Sequence, residues 1–469
     1  MKTVIEIAGA GFCSGCGVCA GICEPEAISM EINKFGEFVP KLDENLCTEC
    51  GLCLKVCPFS EKVINEDILG KELFGNKENI LHQDSIGYFR NTYVGHSTND
   101  AIRLNSASGG IATQLLNSLL KNKAVDYAVC VLPNKAEFPE IFAYQFVEHV
   151  DDIVNNAKSV YFPVEASRVI RKIISLRQAK IAFIGLPCTI KGMRNAIKLL
   201  PTKFTGKEII FIGLTCGGMR SAAYSEYLLM KHTKDPVEIT SINFREKKIG
   251  GRSSDKGYKF NYWNNENEHA SITLWDHKNY WYEEYFKLNS CSFCDDIFAE
   301  LADISLMDAW LPEYYSDWKG NNLIITRSQY FDDYILNLQA NKKILIENID
   351  YDKVILAEKG LIKIKKDGLQ YRLYKIKNKD YWKPPKRVRP KKIGSLKDQI
   401  HWDYTDHVRK TTRNLWAKEK SVEVLDKKIL NLKTRMKYIK RHKKFLIRIK
   451  RSLNRISEHF YKNRKNSNL

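Results

Sequence analysis

Short apolar runs dominate the middle of the chain and predict buried strands. Two of these runs, Ile181-Ala-Phe-Ile-Gly-Leu-Pro-Cys188 and Ile209-Ile-Phe-Ile-Gly-Leu-Thr-Cys216, share six of eight residues and lie 28 residues apart. A helix-like segment, Thr189 to Leu200, separates them. Strands joined through such a helix form a crossover that makes them parallel. The pattern therefore predicts an α/β fold in which Cys188 and Cys216 emerge at one edge of a sheet, where such folds bind ligands.

A helical period is found earlier in the chain, where leucines recur between Ile111 and Leu120. The small-residue loop Ser106-Ala-Ser-Gly-Gly110 precedes this predicted helix. Such a loop lets backbone N–H groups approach a ligand closely, and a helix N-terminus favours a phosphate. A serine-capped helix without a ligand explains the same residues, so both interpretations stay open. Val125 to Leu132 predicts a further strand with Cys130 in the core, and Ile239 to Asn289 is strand-like and rich in Trp and Tyr.

The C-terminal pattern differs from that of the body. Pro384 to Pro390 predicts an extended linker leaving the body, and a helix is expected from about Ser421. Apolar residues three and four apart, with cations on the other faces, predict a rod of about 60 Å. We favour a helix lying on an anionic membrane surface over a coiled coil or docking on an acidic partner. The apolar stripe consists of Val422, Leu425, Ile429, Leu432, Met436 and Ile439, followed by Leu446, Ile449, Leu453, Ile456 and Phe460.

Charge and length limit the classes of function. The chain has 469 residues, enough for two to four domains, and a net charge of +20. From Pro384 onward 27 Lys and Arg face 7 Asp and Glu, so the tail carries the whole excess and the body is neutral. A nucleic-acid binder is therefore a weaker candidate. No apolar stretch approaches the roughly 20 residues of a membrane span, and no export pattern is present, so we expect a cytosolic protein, peripheral at the inner face of the membrane if the tail binds lipid.

Eight of the thirteen cysteines form two similar runs near the start of the chain. A reducing compartment favours metal ligation over disulfides. Three cysteines spaced by two residues, followed by a fourth, are typical of two [4Fe-4S] clusters that exchange their fourth ligand. Paired zinc knots are the alternative, although they usually show separated C-x2-C pairs. The segment resembles a bacterial two-cluster ferredoxin domain, except that Glu24 stands between the fourth cysteine and Pro25. One predicted ligand set is Cys13, Cys16, Cys19 and Cys57, and the other is Cys23, Cys47, Cys50 and Cys53.

Four more cysteines can form a third metal site. Cys188 and Cys216 are expected at the same sheet edge, and Cys291-Ser-Phe-Cys294 supplies a C-x2-C pair. Four thiolates suit a third [4Fe-4S] cluster. A structural zinc site needs the same number of thiolates, so zinc stays open.

The order and spacing of these motifs resemble the coenzyme F420 hydrogenase/dehydrogenase β-subunit family. The resemblance spans roughly Tyr88 to Trp310 and includes the Ser106 loop, Gly185-x-Pro-Cys188, Gly213-x-x-Cys216, and Cys291-x2-Cys294 with the Ala302-to-Trp310 segment. It implies FAD beside an iron–sulfur cluster. Val160 stands where the family usually has lysine, and Met307 where it usually has glycine. The resemblance implies flavin contacts at Ser106, Ser108, Gly109, Gly110, Ser159, Tyr161 and Pro187, and catalytic or flavin-orienting roles for Asp303 and Asp308.

These features together predict an oxidoreductase. Clusters pass single electrons, whereas a flavin accepts single electrons and delivers pairs. We expect electrons to pass from a ferredoxin-like donor through the clusters to FAD and a small-molecule acceptor; the family resemblance also allows use of deazaflavin and a link to polysaccharide biosynthesis. A non-catalytic electron-transfer subunit of a separate hydrogenase or dehydrogenase is the alternative. The predicted domains are an α+β ferredoxin-type domain (1–65), a connector (66–87), a mixed α/β flavin and iron–sulfur body (88–383, in parts 88–180 and 181–383) and a basic linker with a helical tail (384–469).

Overall fold

The computed structural model describes residues 2–156, 158–234, 237–264, 268–378, 382–439 and 441. The strands are β1 (Ile28–Ile32), β2 (Phe38–Leu42), β3 (Leu81–Gln83), β4 (Gly87–Phe89), β5 (Asn91–Ser97), β6 (Tyr127–Pro133), β7 (Phe142–Val147), β8 (Ala179–Gly185), β9 (Lys207–Leu214), β10 (Glu238–Lys247), β11 (Lys256–Trp263), β12 (His269–Leu274), β13 (Ile304–Asp308), β14 (Asn322–Thr326) and β15 (Ile344–Asn348). The helices are α1 (Val4–Gly9), α2 (Val18–Gly21), α3 (Leu52–Val56), α4 (Glu66–Gly70), α5 (Asp100–Asn105), α6 (Ile111–Lys121), α7 (Val150–Asn155), α8 (Ser167–Ser175), α9 (Pro187–Leu199), α10 (Ala222–Thr233), α11 (Lys278–Tyr282), α12 (Gln329–Ala340), α13 (Tyr351–Ala357), α14 (Lys359–Ile362), α15 (Gly368–Ile376) and α16 (Leu396–Lys418), and residues 422–439 are also helical. Two π-helical turns (Lys71–Gly75 and Lys363–Asp367) and several 3-10 turns, including Ser290–Phe293, complete these elements.

An eight-stranded mixed sheet organises the body, in the order β15-β5-β14-β13-β9-β8-β6-β7. The central strands β13, β9, β8 and β6 are parallel, and the outer strands pair antiparallel. The predicted crossover is confirmed, because β8 and β9 pair in parallel with Ile181 opposite Ile209 and Gly185 opposite Gly213. Helix α9 makes the connection. The predicted α/β fold class is confirmed as well.

The two predicted parts of the body share this single sheet. β5 comes from the first part of the body, yet it lies between β14 and β15 of the second part. β6 likewise pairs with β8 across the proposed boundary. The sheet therefore forms only when both parts are present.

The cysteine-rich N-terminal segment packs on one face of the sheet through α8 and α9. Val18, Ile170 and Met193 belong to the same buried core. Glycines allow this close contact: a Cβ on Gly21 would lie 2.7 Å from the Cβ of Ile170, and a Cβ on Gly192 would lie 2.8 Å from Val18 Cγ2. The N-terminal segment is thus held at a fixed position against the sheet.

A second core joins the three-stranded sheet β10-β11-β12 to the C-terminal helices. Tyr227, Phe286 and Trp416 pack there, with Trp416 only 2% exposed. The sequence did not predict α16, because its few apolar residues are scattered among charged ones. Its packing on the body begins with a capping box in which Ser395 and Asp398 satisfy each other's backbone N–H groups.

The segment from Pro384 to Pro390 does not leave the body, contrary to the prediction. The Arg387 side chain is 12% exposed and donates to both carboxylate oxygens of Glu300, at 2.7 and 2.8 Å. The backbone N–H of Arg387 donates to Asp295 Oδ2 at 3.1 Å. Proline excludes a regular helix here, as expected, but buried ion pairs hold the extended segment in place.

The apolar stripe of the tail begins as an intramolecular contact. Leu425 and Ile429 are 0% and 2% exposed within the second core, and Tyr227 donates to Asp426 Oδ1 at 2.5 Å. The hypothesis that this part of the stripe binds a membrane is therefore wrong. The predicted continuation of the stripe, Leu446, Ile449, Leu453, Ile456 and Phe460, lies outside the described residues. No helix within the described ranges is long and apolar enough to span a bilayer.

Candidate functional site

The first eight cysteines surround two neighbouring cavities. Two short helices, α2 and α3, each begin at a glycine with a left-handed backbone: Gly17 (φ 75°) after Cys16, and Gly51 (φ 69°) after Cys50. This repeated turn directs the cysteine loops around the cavities. A small cavity is lined by Cys13, Cys16, Cys19 and Cys57, and a cavity of about 360 Å³ is lined by Cys23, Cys47, Cys50 and Cys53, together with Cys19. The structure thus groups these cysteines in the crossed arrangement.

Burial of these thiols suits a bound metal cluster. Burial in apolar surroundings raises the pKa of Cys57 to about 12, although backbone N–H groups of Phe59 and Ser60 oppose the rise. Burial also raises the pKa of Cys13 and Cys19 well above the ordinary value. A thiolate is the ligating form, and a positively charged metal offsets the cost of its burial. The donor set therefore fits iron–sulfur clusters.

The structure also brings the other four cysteines together. Cys188 occupies the first turn of α9 rather than a strand end, Cys216 follows β9, and Cys291 lies in the 3-10 turn Ser290–Phe293 with Cys294 directly after it. Burial, followed by the nearby thiols of Cys16, Cys216, Cys294 and Cys291, raises the pKa of Cys188. We call Cys188, Cys216, Cys291 and Cys294 the inner cysteine group.

Several donors hold the inner cysteine group. The backbone N–H of Met219 donates to Cys291 Sγ at 3.2 Å, and that of Cys216 donates to the carbonyl of Ile297 at 3.0 Å. Gly218 between them has φ 124°, and a Cβ there would lie 3.2 Å from the Cβ of Cys291. The loop after β9 therefore needs glycine to approach the Cys291 turn.

The inner group lies next to the N-terminal cysteines. Among the thiols that raise the pKa of Cys188, Cys16 has the largest effect. The rings of Phe12 and Phe293 meet edge to face with centroids 5.0 Å apart, and Asn289 Nδ2 donates to the Gly11 carbonyl at 3.0 Å. The three cysteine groups are thus arranged in series, beginning at the exposed Cys50.

A further cavity with a mostly apolar lining lies beyond the inner group, at the carboxyl ends of the parallel strands. It has a volume of about 240 Å³ and an aromatic wall that includes Tyr161 and Trp281. Cys216 lines this cavity as well as belonging to the inner cysteine group. This position matches the sheet edge at which α/β folds bind ligands. Of the predicted site residues, Ser106, Ser108, Gly110, Ser159, Tyr161, Cys216 and Asp308 line it.

The Ser106 loop is fixed by contacts within the protein. Ser106 Oγ lies 3.1 Å from Thr113 Oγ1, and Ser108 Oγ donates to the Asn321 carbonyl at 2.8 Å. Helix α6 begins at Gly110, which has φ 82° and provides no side-chain cap. The alternative of a serine-capped helix is therefore wrong, and the loop presents its backbone to the cavity.

Three predicted site residues lie elsewhere. Pro187 is buried in the first turn of α9, outside the cavity lining. Gly109 packs against strands: a Cβ there would lie 2.8 Å from the Gly95 carbonyl oxygen and 2.9 Å from Asn322 N. Asp303 accepts from Arg194 Nη2 at 2.9 Å and from the Phe211 N–H at 2.7 Å. Asp303 thus joins β9 to the start of β13 and does not line the cavity, and its catalytic or flavin-orienting role stays a prediction.

A buried arginine that the sequence did not single out organises the cavity wall. Arg245 donates to Asp308 Oδ1 at 2.7 Å and to the Tyr161 hydroxyl at 3.0 Å. Burial lowers the pKa of this guanidinium, but the charges of Asp308 and Tyr161 outweigh it and raise the pKa overall. Arg245 has φ 64° at an irregularity in β10, which directs its side chain out of the regular alternation. A strand pattern alone could not reveal this position.

Two further ionisable side chains lie near this wall: Lys247 contacts the backbone of the Ser106 loop, and Glu358 is close to Asp308 without lining the cavity. Lys247 donates to the carbonyl oxygens of Ser108 (2.8 Å) and Lys319 (2.5 Å), and also to that of Arg103. Burial and neighbouring cations lower the pKa of Lys247 to about 6. Glu358 is 8% exposed, and burial together with the charge of Asp308 raises its pKa to about 8. Glu358 had no motif around it to mark it in the sequence.

Comparison with known proteins agrees with this geometry. Residues 92–171 match the coenzyme F420 hydrogenase/dehydrogenase β-subunit N-terminal region, and residues 178–352 match its C-terminal region, more than half of the chain together. The chain belongs to this F420 hydrogenase/dehydrogenase β-subunit family. Residues 12–60 match a 4Fe-4S dicluster domain, which confirms that the N-terminal segment is an iron–sulfur domain. In this family member, Glu358, Lys365 and Arg387 lie beyond the matched region.

One curated relative of this family member is a coenzyme F420-dependent sulfite reductase from Methanocaldococcus jannaschii. The two are 25% identical over 358 residues, which is 74% of this chain and 49% of the relative. The chain thus spans about half the length of that relative. Among solved structures, a chain of the F420-reducing [NiFe] hydrogenase complex from Methanosarcina barkeri, derivatised with xenon, is similar with a TM-score of 0.47 and 16% identity, over 65% of this chain and 99% of that one.

Proposed function

We propose that the protein is an iron–sulfur flavoprotein oxidoreductase that passes electrons from a ferredoxin-like donor through [4Fe-4S] clusters to FAD and on to a small-molecule acceptor. The observation that supports it most is the serial arrangement of cysteines. The crossed N-terminal groups lie beside Cys188, and Cys216 belongs to the inner group while also lining the cavity.

The three cysteine groups support the iron–sulfur part of the proposal. Cys13, Cys16, Cys19 and Cys57 would hold one cluster, and the second group around Cys50 would hold another. The inner cysteine group would hold the third. Because Cys50 is exposed, we place the docking of the donor at that end.

The cavity residues fit a flavin, which would convert single electrons into pairs when bound. The Ser106–Gly110 loop offers backbone N–H groups at the start of α6, where an anionic phosphate is favoured. Tyr161 and Trp281 provide apolar ring surfaces, and Lys158 lines the same cavity. Lys158 also supplies a cation near the position where Val160 departs from the family's usual lysine.

Asp308 and Glu358 are the proposed proton-handling groups. Asp308 lines the cavity and stays ion-paired with Arg245, which orients its carboxylate. Glu358 has a pKa of about 8 through burial and its proximity to Asp308, so it holds a proton near neutral pH. A carboxyl that is protonated near neutral pH suits general acid catalysis.

Anaerobic purification followed by metal and flavin analysis tests the proposal. Three four-iron sites predict about twelve iron and about twelve sulfide per chain, with one FAD. A reduced ferredoxin-type donor should bleach the flavin absorbance of the isolated protein. About eight irons would remove the third cluster, and a protein with full iron but no flavin absorbance would contradict the flavin assignment.

A non-catalytic electron-transfer subunit is the second candidate. The chain spans about half of its curated relative, so a partner chain could carry the remaining functions. The two candidates differ in one measurement on the isolated protein. Donor-dependent reduction of an added two-electron acceptor, such as coenzyme F420, indicates an enzyme, whereas cluster reduction without flavin or turnover indicates a carrier.

A further inference from the structure

A buried lysine contacts the inner cysteine group from outside the region that matches the family. Lys365 lies in the π-helical turn Lys363–Asp367, and the family match ends at residue 352. The residue is 2% exposed. A lysine is rarely buried to this extent without partners, because desolvation of an ammonium is costly.

All three hydrogens of the Lys365 ammonium are accounted for. Nζ donates to the Asp296 carbonyl at 2.6 Å, to the Cys216 carbonyl at 3.0 Å and to Cys294 Sγ at 3.3 Å. A lysine ammonium has three donors and no acceptor. Two of its partners are thus backbone carbonyls next to cluster ligands, and the third is a ligand sulfur.

We propose that Lys365 is a positioning residue that raises the reduction potential of the centre held by Cys188, Cys216, Cys291 and Cys294. The inference rests on the proposed third cluster. Cluster potentials depend on net charge, hydrogen bonds to the sulfurs and solvent exposure. Reduction adds one negative charge, and a fixed positive charge donating to a ligand sulfur stabilises the reduced form more than the oxidised one.

Other cations near the inner group are engaged differently. The charge of Lys386 also acts to lower the pKa of Cys294. Its ammonium, however, lies 3.7 Å from Asp295 Oδ1 and 4.5 Å from the centre of the Phe59 ring. Arg220 donates to the carbonyls of Gly218 and Trp281. Lys365 is therefore the cation whose hydrogen bond to a ligand sulfur the structure shows.

The consequence is a difference between the clusters. The inner centre should accept an electron more readily than its own ligands alone would allow, because one positive charge is fixed beside it. Electrons arriving from the N-terminal pair would then be favoured to move inward, toward the cavity that Cys216 lines.

An anaerobic redox titration followed by electron paramagnetic resonance tests the inference. The variants are Lys365→Met, which keeps the length but removes the charge, and Lys365→Arg, which keeps the charge. Lys366→Met is the matched control, because the neighbouring Lys366 donates instead to the Asp84 carbonyl. Iron content is measured on each sample, and the inner signal is assigned by its loss in Cys216→Ser.

We expect Lys365→Met to keep about twelve irons while the equilibrium constant for reduction of the inner centre falls about tenfold, or about 59 mV for a one-electron couple. A hydrogen bond from a charged donor to a ligand sulfur is strong enough to support a change of this size. Lys365→Arg should recover most of the shift, and Lys366→Met should show none. The potentials of the N-terminal pair should not change in any variant.

An inner centre with an unchanged potential in Lys365→Met would overturn the inference. If that variant loses the third cluster, Lys365→Gln, which retains a neutral donor, is titrated instead, and an unchanged potential there overturns it equally. A wild-type protein with about eight irons and no inner signal would instead contradict the proposed third cluster itself. The two failures are therefore distinguishable.

Discussion

The two N-terminal cysteine groups and the inner cysteine group each bring four thiols together, but the chain supplies these thiols in different ways. The N-terminal groups come from two local loops, each turned by a left-handed glycine after its second cysteine, and they reach the surface at Cys50. The inner group takes one residue from α9, one from the loop after β9 and two from a distant turn. It is also the group that a buried ammonium contacts.

Under the proposed function, this difference would separate a receiving end from a delivering end. The exposed Cys50 could meet a protein donor, whereas the inner cysteines are all partly buried among the sheet, the Cys291 turn and the C-terminal segment. The enclosure depends on residues beyond the region that matches the family, because Lys365 and Arg387 both approach the Cys294–Asp295 stretch.

The largest effect is expected when one cysteine of the inner group is replaced, which tests whether this group binds a cluster as the N-terminal groups do. Cys216→Ser should lose about four irons and retain the absorbance of the N-terminal pair, because the pair uses none of the inner ligands. Reduction of the flavin by a ferredoxin-type donor should be lost at the same time. Cys130→Ser is the control for iron content alone, since Cys130 belongs to none of the three cysteine groups but lines the same cavity as Cys216. Unchanged iron in Cys216→Ser would show that the inner group binds no cluster.

The enclosure itself can be weakened by Arg387→Met. Arg387 pairs with Glu300 at 2.7 Å and approaches Glu66 and Asp295 at 3.7 and 3.5 Å, so its loss leaves the buried Glu300 carboxylate without this cation, while Lys191 still pairs with Glu66 and Lys386 with Asp295. We expect the free energy of unfolding to fall by about 3–5 kcal/mol. Denaturant unfolding under anaerobic conditions measures it, with the exposed Lys391→Met as the control. Equal stability of the two variants would show that the segment is not held by these pairs.

The smallest expected effect is on the pH dependence of stability, and it concerns Glu358 near the cavity. The pKa of Glu358 is about 8 in the fold, against an ordinary value of 4.5, so the folded protein binds its proton more tightly than the unfolded chain. Stability from this group is fully present below about pH 4.5 and is lost as the pH rises toward 8. Glu358→Gln should therefore flatten the decline in melting temperature between about pH 5 and 8. A variant with the same decline as wild type would exclude Glu358 as its source.

Most of the predictions that the sequence allowed came from the spacing of residues over short stretches of the chain. The cysteine runs indicate their clusters because all ligands of the pair lie within 57 residues, and the repeated strand motif predicts the parallel pair because a helix-like segment connects its two copies. Arg245 was not singled out because an irregularity in β10, with φ 64°, determines its direction. Asp303 immediately precedes β13 and Asp308 ends it, and only the tertiary structure shows that one joins strands and the other lines the cavity.

The C-terminal tail shows what the periodicity of a sequence cannot predict. An apolar stripe with flanking cations is compatible with a membrane, a coiled coil or the protein's own body, and the alternatives differ only in what covers the stripe. For Leu425 and Ile429 the cover is the core around Tyr227 and Trp416. A partner within the same chain cannot be inferred from the periodicity of the helix alone.

The position of β5 between β14 and β15 has a consequence for biosynthesis. β5 ends at residue 97 and its last neighbour begins at residue 344, so about 250 residues must be translated before the strand is paired on both sides. At about 5–20 residues per second this takes roughly 12–50 s. The first eight cysteines, complete by residue 57, emerge from the ribosome long before that moment. Iron insertion into the N-terminal pair can therefore precede completion of the sheet, whereas the proposed inner centre would have to wait until Cys294, the last of its four ligands, has been made.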